Sequence, residues 1–159
     1  MDVYLAIASK RDERRYADRA IPAEVERRIL DAGRVTGSAR KRQPWEFVIV
    51  SDPRGLAETV YEPSNLLGAA LVLALVGTGG LDFGRAAQNM MLAAWDEGVV
   101  SCPNGIKDAA AAEAILGGEA ALILSFGYPV TPRDPVARTA EEWSARANRK
   151  PLEELVKRI

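Results

Sequence analysis

AALVLALV at Ala69–Val76 and DFGRAAQNMMLAAWDEG at Asp82–Gly98 are the two segments from which the architecture follows. The first is an apolar run without alternation, which is typical of a strand buried on both faces. The second has apolar residues at helical spacing, with Asp82 as the predicted N-cap and Gly98 just past the helix end. Its apolar positions are wider than one stripe, so we expect this helix to be buried on more than one side.

Shorter segments on either side predict the remaining elements. Strands are expected over residues 46–50, 99–102 and 119–129. Helices are expected over residues 2–9, 22–32, 54–61, 107–116 and 151–159. Residues 129–150 contain several prolines and predict an extended loop or tail. This order of elements predicts a three-layer α+β arrangement, with helices packed on a sheet, in a single domain over residues 1–159.

Composition excludes several classes of function. The chain has 159 residues and no histidine, which removes Ser-His-Asp and Cys-His catalysis and HExxH zinc sites. The single cysteine, Cys102, has no partner for an intrachain disulfide and no histidine base, so we expect it to be a packing residue. Lys and Arg number 21 against 22 Asp and Glu, and this balance argues against general nucleic-acid binding.

Positive charge is concentrated near the start of the chain. Residues 1–42 contain eleven Lys or Arg and seven Asp or Glu, a net charge of +4 in a chain whose total is −1. Local positive charge of this kind suits a small anion such as a phosphate, and a solvated arginine-rich surface is the alternative. The longest apolar run, Leu66–Gly77, is shorter than the about 20 residues of a membrane-spanning helix. Without a secretory signal, the expected location is the cytoplasm.

A glycine-rich turn, Gly77–Gly80, follows the buried strand and resembles a nucleotide or S-adenosylmethionine loop. The fingerprint GxGxxG would require glycine at position 82, where this chain has Asp82. We therefore expect a turn that enters a helix, and a methyltransferase-like nucleotide binder stays open as a minor alternative.

Three cationic segments each lie beside a predicted turn or helix start. They are KRDERRY at residues 10–16, GSARKRQPWEF at 37–47 and NRKPLEELV at 148–156. A phosphate and a polar ring system could be held between such segments, because guanidinium groups and helix N-termini both bind phosphate.

These segments resemble the nitroreductase family of flavoproteins, and they occur in the family's order. Lys10–Tyr16 resembles the opening pattern RRSxRxF, and Ser38–Val50 resembles the loop SxxNxQPWxFxxV. Asp82–Gly98 resembles the helix DxGxAxQNxxLxAxxxG, and Cys102–Gly105 resembles a PxEG-like turn. The last two matches are a GYP strand end and an RxPLEE-like tail, at Gly127–Pro129 and Arg149–Leu155.

The resemblance implies an α+β, three-layer nitroreductase-like fold with a central mixed, mainly antiparallel sheet flanked by helices. It also implies a homodimer with one FMN at each of two interface sites. No catalytic side chain and no metal are expected, since the flavin carries the chemistry.

By the same resemblance, one group of residues holds the flavin phosphate and the O2/N1 edge of the ring. In the opening motif these are Lys10, Arg11 and Arg14, with Asp12 at a position where the family usually has serine. Before the last helix, Arg149 and Lys150 are implied to contact the phosphate only.

A second group is implied to contact the ring from other sides. Ser38, Ala39 and Lys41 belong to a loop that reaches the flavin of the partner subunit, and Lys41 replaces the family's asparagine. Asn104 and Gly105 form a turn whose backbone N–H groups face flavin N5, and Asn104 stands where many members have glutamate.

The implied activity is an FMN-dependent oxidoreductase that passes a hydride from NAD(P)H to an electron-poor acceptor. A nitroaromatic or a quinone is the expected acceptor class, in a ping-pong scheme on one open flavin face. The alternative is a non-catalytic flavin-binding or dimerisation module of the same fold.

Overall fold

A four-stranded sheet forms the centre of residues 11–133 in the computed structural model, which describes residues 1–78 and 80–159. The strands are β1 (Glu46–Ile49), β2 (Leu71–Val76), β3 (Val100–Asn104) and β4 (Ala120–Gly127), in the order β1-β2-β4-β3. Each neighbouring pair is antiparallel. All of β2 is buried, which confirms the strand predicted from the apolar run.

Helices cover both faces of this sheet. On one face, α2 (Ala23–Arg34) and α5 (Gly80–Asp96) pack on Leu71, Leu73 and Leu75. On the other, α3 (Arg54–Ala57), α4 (Ser64–Leu67) and α6 (Ala109–Leu116) pack on a second core that contains the alternate β2 residues Val72, Ala74 and Val76. Because successive strand side chains point to opposite faces, β2 contributes to both cores. The predicted three-layer arrangement is confirmed.

Helix α5 differs from its prediction in two respects. It begins at Gly80, so Asp82 lies in its first turn and the prediction of Asp82 as N-cap is wrong. The Asp82 carboxylate instead accepts a hydrogen bond from the Ala39 N–H at 3.0 Å. Four of the apolar side chains of α5 are buried within the chain itself: Met90, Met91, Ala94 and Trp95. Their apolar character therefore needs no second subunit.

Residues 1–10 and 134–159 form a compact unit of their own, and residues 11–133 form another. The first unit contains α1 (Val3–Ser9), α7 (Ala140–Ala145) and α8 (Leu152–Leu155). In α1, the Asp2 carboxylate accepts the N–H groups of Tyr4 and Leu5, as expected of an N-cap. The single domain over residues 1–159 stays a prediction.

The C-terminal region corrects two expectations. Residues 129–150 are not entirely extended, because Thr139 and Glu142 form a capping box that starts α7. The last helix ends at Leu155, and Val156 has an extended backbone. The apolar side chains of this last helix, α8, are exposed. Across residues 1–78 and 80–159, no helix combines the length and the apolar character needed to cross a bilayer.

Gly127, at the end of β4, gives the ring of Tyr16 room to lie on the sheet. A Cβ atom at this position would lie 2.7 Å from Tyr16 Cγ and 2.8 Å from Tyr16 Cβ. These atoms belong to the base of the side chain, which cannot move without its backbone. The close approach therefore depends on glycine at 127.

We predict opposite effects for two glycine-to-alanine substitutions. Gly127→Ala should destabilise the fold by about 1–3 kcal/mol, because it forces Tyr16 off the sheet. Gly84→Ala in α5 should stabilise it by about 0.5–1 kcal/mol, since among the described residues a Cβ there meets no atom within 4 Å outside its own helix backbone, and alanine favours helix. Urea unfolding followed by circular dichroism measures both. A Gly127→Ala variant as stable as the original chain would contradict the packing argument.

Candidate functional site

Two residues of the opening cationic motif, Asp12 and Glu13, lie beside the outer edge of β3. Asp12 forms a parallel bridge with Ser101, and the Glu13 N–H donates to the Ser101 carbonyl oxygen at 3.1 Å. This strand ends at Asn104, so the prediction of a turn at Cys102–Gly105 is wrong for its first three residues, which belong to β3, and the chain leaves the strand only at Gly105. Residues 11–14 are thereby brought to the same edge of the sheet as the Asn104–Gly105 turn, although about 90 positions separate them in the chain.

Ser101 carries an unusual polar group beneath this contact. Its side chain is fully buried, and its Oγ atom has no hydrogen-bond partner within residues 1–78 and 80–159. A buried hydroxyl without a partner is costly and is found where function or an additional bound group requires it.

Of the charged side chains beside the opening motif, some form an ion pair among the described residues and Arg14 does not. The Glu13 carboxylate accepts two hydrogen bonds from the Arg133 guanidinium, at 2.6 and 2.9 Å, and this contact raises the pKa of Arg133 above its usual value. Arg14 is exposed and forms no ion pair in the part of the chain that the structure describes. A cavity of about 560 Å³ is lined by Glu13, Arg14, Arg15, Val130, Thr131 and Arg133. Its net positive charge can receive an anion.

The side chain of Asn104 points into the protein. Its Nδ2 donates to the Cys102 carbonyl oxygen at 3.1 Å and to Ser125 Oγ at 3.0 Å, and its Oδ1 accepts from Asn65 Nδ2 at 3.1 Å. Asn104, the last residue of β3, is 8% exposed, whereas Gly105, just after the strand, is exposed. The side chain therefore serves to hold the turn, and the backbone of this segment is what a ligand could contact.

Tyr16 belongs to the same buried cluster, and its role was missed by the sequence analysis, which used it only as part of a motif. Its hydroxyl lies 2.8 Å from Ser125 Oγ and donates to the Glu13 carbonyl oxygen at 3.0 Å. Burial raises the pKa of this hydroxyl to about 12. It remains protonated, and so remains a donor, at neutral pH.

The Ser38–Lys41 loop has a strained backbone. Arg40, Lys41 and Gln43 have positive φ values of 54°, 57° and 49°, a region that residues with a side chain rarely adopt. Ser38 Oγ accepts the Gln43 N–H at 2.8 Å, and Asp82 accepts the Ala39 N–H. Strain held in place by local hydrogen bonds is frequent at ligand-binding loops.

The glycine-rich turn has a packing role. Gly77 has a φ of 127°, and a Cβ there would lie 2.3 Å from the Pro44 carbonyl oxygen. The close approach of the Pro44 backbone accounts for this glycine without a nucleotide. Gly79, which belongs to the alternative nucleotide loop, lies outside the described residues.

The remaining predicted cations belong to the unit formed by residues 1–10 and 134–159. Lys10 is the C-cap of α1. Arg149 and Lys150 are exposed between α7 and α8, and among the described residues they form no ion pair. Neither side chain has an anionic partner of its own in this unit.

Cys102 is buried, and its Sγ donates to the Pro103 carbonyl oxygen at 3.1 Å, in agreement with the packing role expected for it. Across the described ranges, no group of three or more His, Cys, Asp or Glu side chains is arranged to hold a metal ion.

Comparison with known proteins identifies the family. A model of the nitroreductase family matches residues 7–74 and 79–128, which is more than half of the chain. The chain belongs to the nitroreductase family. A curated relative from Methanothermobacter thermautotrophicus, provisionally named NADH dehydrogenase/NAD(P)H nitroreductase, is 40% identical over 62 residues. That match spans 39% of this chain and 32%, about a third, of the relative.

Two solved structures share the fold over nearly their full length. A nitroreductase family protein from Clostridium difficile 630 is 20% identical, with a TM-score of 0.82 over 99% of this chain and 98% of its own. A provisionally named nitroreductase from Desulfovibrio desulfuricans, solved in complex with FMN, is 25% identical, with a TM-score of 0.83 over 100% of this chain and 98% of its own.

The buried Tyr16 hydroxyl predicts a loss of stability in alkali. Its pKa is about 12 in the folded chain and 10.0 ordinarily, so the stabilisation is present below pH 10 and is lost as the pH rises from 10 to about 12. Between about pH 9 and about pH 11, the original chain should lose about 1 kcal/mol more stability than Tyr16→Phe. Urea unfolding of both proteins at the two pH values measures this. An unchanged difference between them would contradict the assigned shift.

Proposed function

We propose that this chain is an FMN-dependent oxidoreductase that passes a hydride from NAD(P)H to an electron-poor acceptor such as a nitroaromatic or a quinone. One observation carries the proposal: the opening motif and the Asn104–Gly105 turn lie on the same edge of the sheet, although they are far apart in sequence. Membership of the nitroreductase family supports it, as does the FMN in the Desulfovibrio desulfuricans structure.

The residues present fit an anionic flavin. Arg14 is exposed without an ion pair among the described residues, while Glu13 is bound by Arg133 and so does not neutralise it. Arg11 and Arg14 are proposed to hold the phosphate and the O2/N1 edge, where a guanidinium can form charge-assisted hydrogen bonds. Lys10, Arg149 and Lys150 are proposed for the phosphate on the strength of the sequence motifs alone.

FMN, when bound, supplies the hydride chemistry. The chain's own part is to bind and to orient. Backbone N–H groups at Asn104 and Gly105 are proposed to face the N5 edge, since the Asn104 side chain is directed inward. An arginine beside the N1 edge stabilises negative charge there and so favours the reduced state. Reductant and acceptor are proposed to use the same open face in turn, which gives ping-pong kinetics.

A homodimer is part of the proposal. The strained loop with Ser38, Ala39 and Lys41 is proposed to reach the flavin of the partner subunit, where the exposed Lys41 ammonium adds positive charge. The proposed setting is the cytoplasm, in keeping with a chain whose one cysteine has no disulfide partner within it.

The proposed phosphate contacts predict flavin loss on substitution. Arg11→Ala and Arg149→Ala should each weaken FMN binding by about 1.5–3 kcal/mol, roughly ten- to a hundredfold, because each removes a charge-assisted hydrogen bond. Arg54→Ala, which removes an exposed arginine paired with Asp52 at the start of α3, is the control and should retain FMN.

The visible spectrum after gel filtration measures occupancy, and bleaching of the bound flavin by NADPH distinguishes the enzyme from a flavin-binding module without turnover. Full flavin occupancy in both arginine variants would overturn the phosphate assignment. A flavin that binds but is not bleached by either nicotinamide would support the non-catalytic alternative.

The dimer predicts a mass of twice 17.2 kDa at micromolar concentration, because the proposed site is incomplete without the partner's loop. Light scattering coupled to gel filtration measures it, with and without added FMN. A 17.2 kDa species under both conditions would contradict the dimer.

A further inference from the structure

Four buried or partly buried side chains form a continuous hydrogen-bonded chain across one face of the sheet. It runs from Asn65 in α4 to Asn104 at 3.1 Å, and from Asn104 to Ser125 at 3.0 Å. Ser125 contacts the Tyr16 hydroxyl at 2.8 Å, and Tyr16 contacts the Glu13 carbonyl oxygen at 3.0 Å. All of these residues lie within the unit of residues 11–133.

The hydrogen bonds in this series of side chains can all run in the same direction. Asn65 donates to Asn104, and Asn104 donates to Ser125 Oγ. With the Ser125 hydroxyl donating to Tyr16, the Tyr16 proton is available for the Glu13 carbonyl oxygen. Asn104, Ser125 and Tyr16 then each accept one hydrogen bond and donate the next, an arrangement in which hydrogen bonds strengthen one another.

Two points on the hydrogen-bonded chain adjoin the two segments of the proposed flavin site: its end at Glu13 and its interior member Asn104. Glu13 lies between Asp12 and Arg14 in the opening motif, and Asn104 precedes Gly105 at the turn. The turn is held from a second side, because the Tyr61 N–H donates to the Gly105 carbonyl oxygen at 3.0 Å. The hydrogen-bonded chain therefore joins the backbone beside the proposed N1 contact to the backbone beside the proposed N5 contact.

We propose that Tyr16 is a positioning residue, whose hydroxyl acts through Ser125 and Asn104 to fix the opening motif relative to the Asn104–Gly105 turn. The contact with flavin rests on the proposed function, whereas the fixing of the two segments does not. If only the ring of Tyr16 mattered, its packing over Gly127 would hold the side chain in place. Ser125 and Asn104 would then have no hydrogen-bonded connection to the opening motif through Tyr16.

The test compares Tyr16→Phe with Tyr128→Phe. The first removes only the hydroxyl and keeps the ring over Gly127. The second makes the same chemical change at a buried tyrosine that lies under the Arg19 guanidinium and outside the hydrogen-bonded chain. Ser125→Ala and the double variant with Tyr16→Phe complete a double-mutant cycle. Because both substitutions break the same series of hydrogen bonds, their effects should not be additive.

Amide hydrogen exchange of the chain without added flavin is the first measurement. In Tyr16→Phe, exchange should rise about three- to tenfold in peptides covering residues 11–15 and 103–106, as expected for the loss of one hydrogen bond. Peptides covering β2 should be unaffected, and Tyr128→Phe should leave both segments unchanged. The double variant should exceed neither single variant. Exchange that rises at neither segment, or equally in both tyrosine variants, would overturn the proposal.

The flavin-bound protein gives the second measurement. Tyr16→Phe should shift the midpoint potential of bound FMN and lower kcat more than it raises KM, whereas a purely structural role would change only thermal stability. An original chain that binds no FMN would refute the proposed function, while hydrogen exchange would still decide the role of Tyr16. An original chain that binds FMN, with identical potential and kinetics in Tyr16→Phe, would overturn the positioning role.

Discussion

Burial of β2 on both faces is the constraint on which the structure depends. A six-residue strand without a polar side chain exposes apolar surface on both sides unless each is covered. Helices α2 and α5 cover one side, and α3, α4 and α6 cover the other. With its faces covered, the sheet can offer a ligand its edges and the ends of its strands, and the candidate site lies along the β3 edge.

The site is assembled from backbone placed at that edge rather than from reactive side chains. Asp12 and Glu13 extend the sheet locally beside Ser101, and the next residue, Arg14, projects from a segment whose position is set by main-chain hydrogen bonds. The acidic neighbour, Glu13, is occupied by Arg133. The chain, which has no histidine, presents a cationic surface here, and under the proposed function a bound cofactor would provide the reactivity.

The sequence predicted the layers, the strands and most helices, because these depend on periodicity and on apolar runs. The remaining predictions failed where a side chain makes a different hydrogen bond from the one expected. The Thr139–Glu142 capping box starts a helix in a proline-rich region, and Asp82 accepts the Ala39 N–H instead of capping α5. The opening motif and the turn were both named from family patterns. Their hydrogen-bonded link could not be predicted, since Tyr16 and Ser125 are 109 positions apart and carry no common pattern.

The positive φ values at Arg40, Lys41 and Gln43 bear on how the chain could be engineered. A left-handed backbone at a residue with a side chain costs on the order of 1–3 kcal/mol, and glycine would remove that cost. A selection for thermal stability alone would therefore favour glycine in this loop. Such a selection would also remove Lys41 and loosen the backbone that the native residues hold, so greater stability would come at the expense of a preorganised loop. At these positions, the residue that would give the most stable fold differs from the residues that hold the loop in its observed geometry.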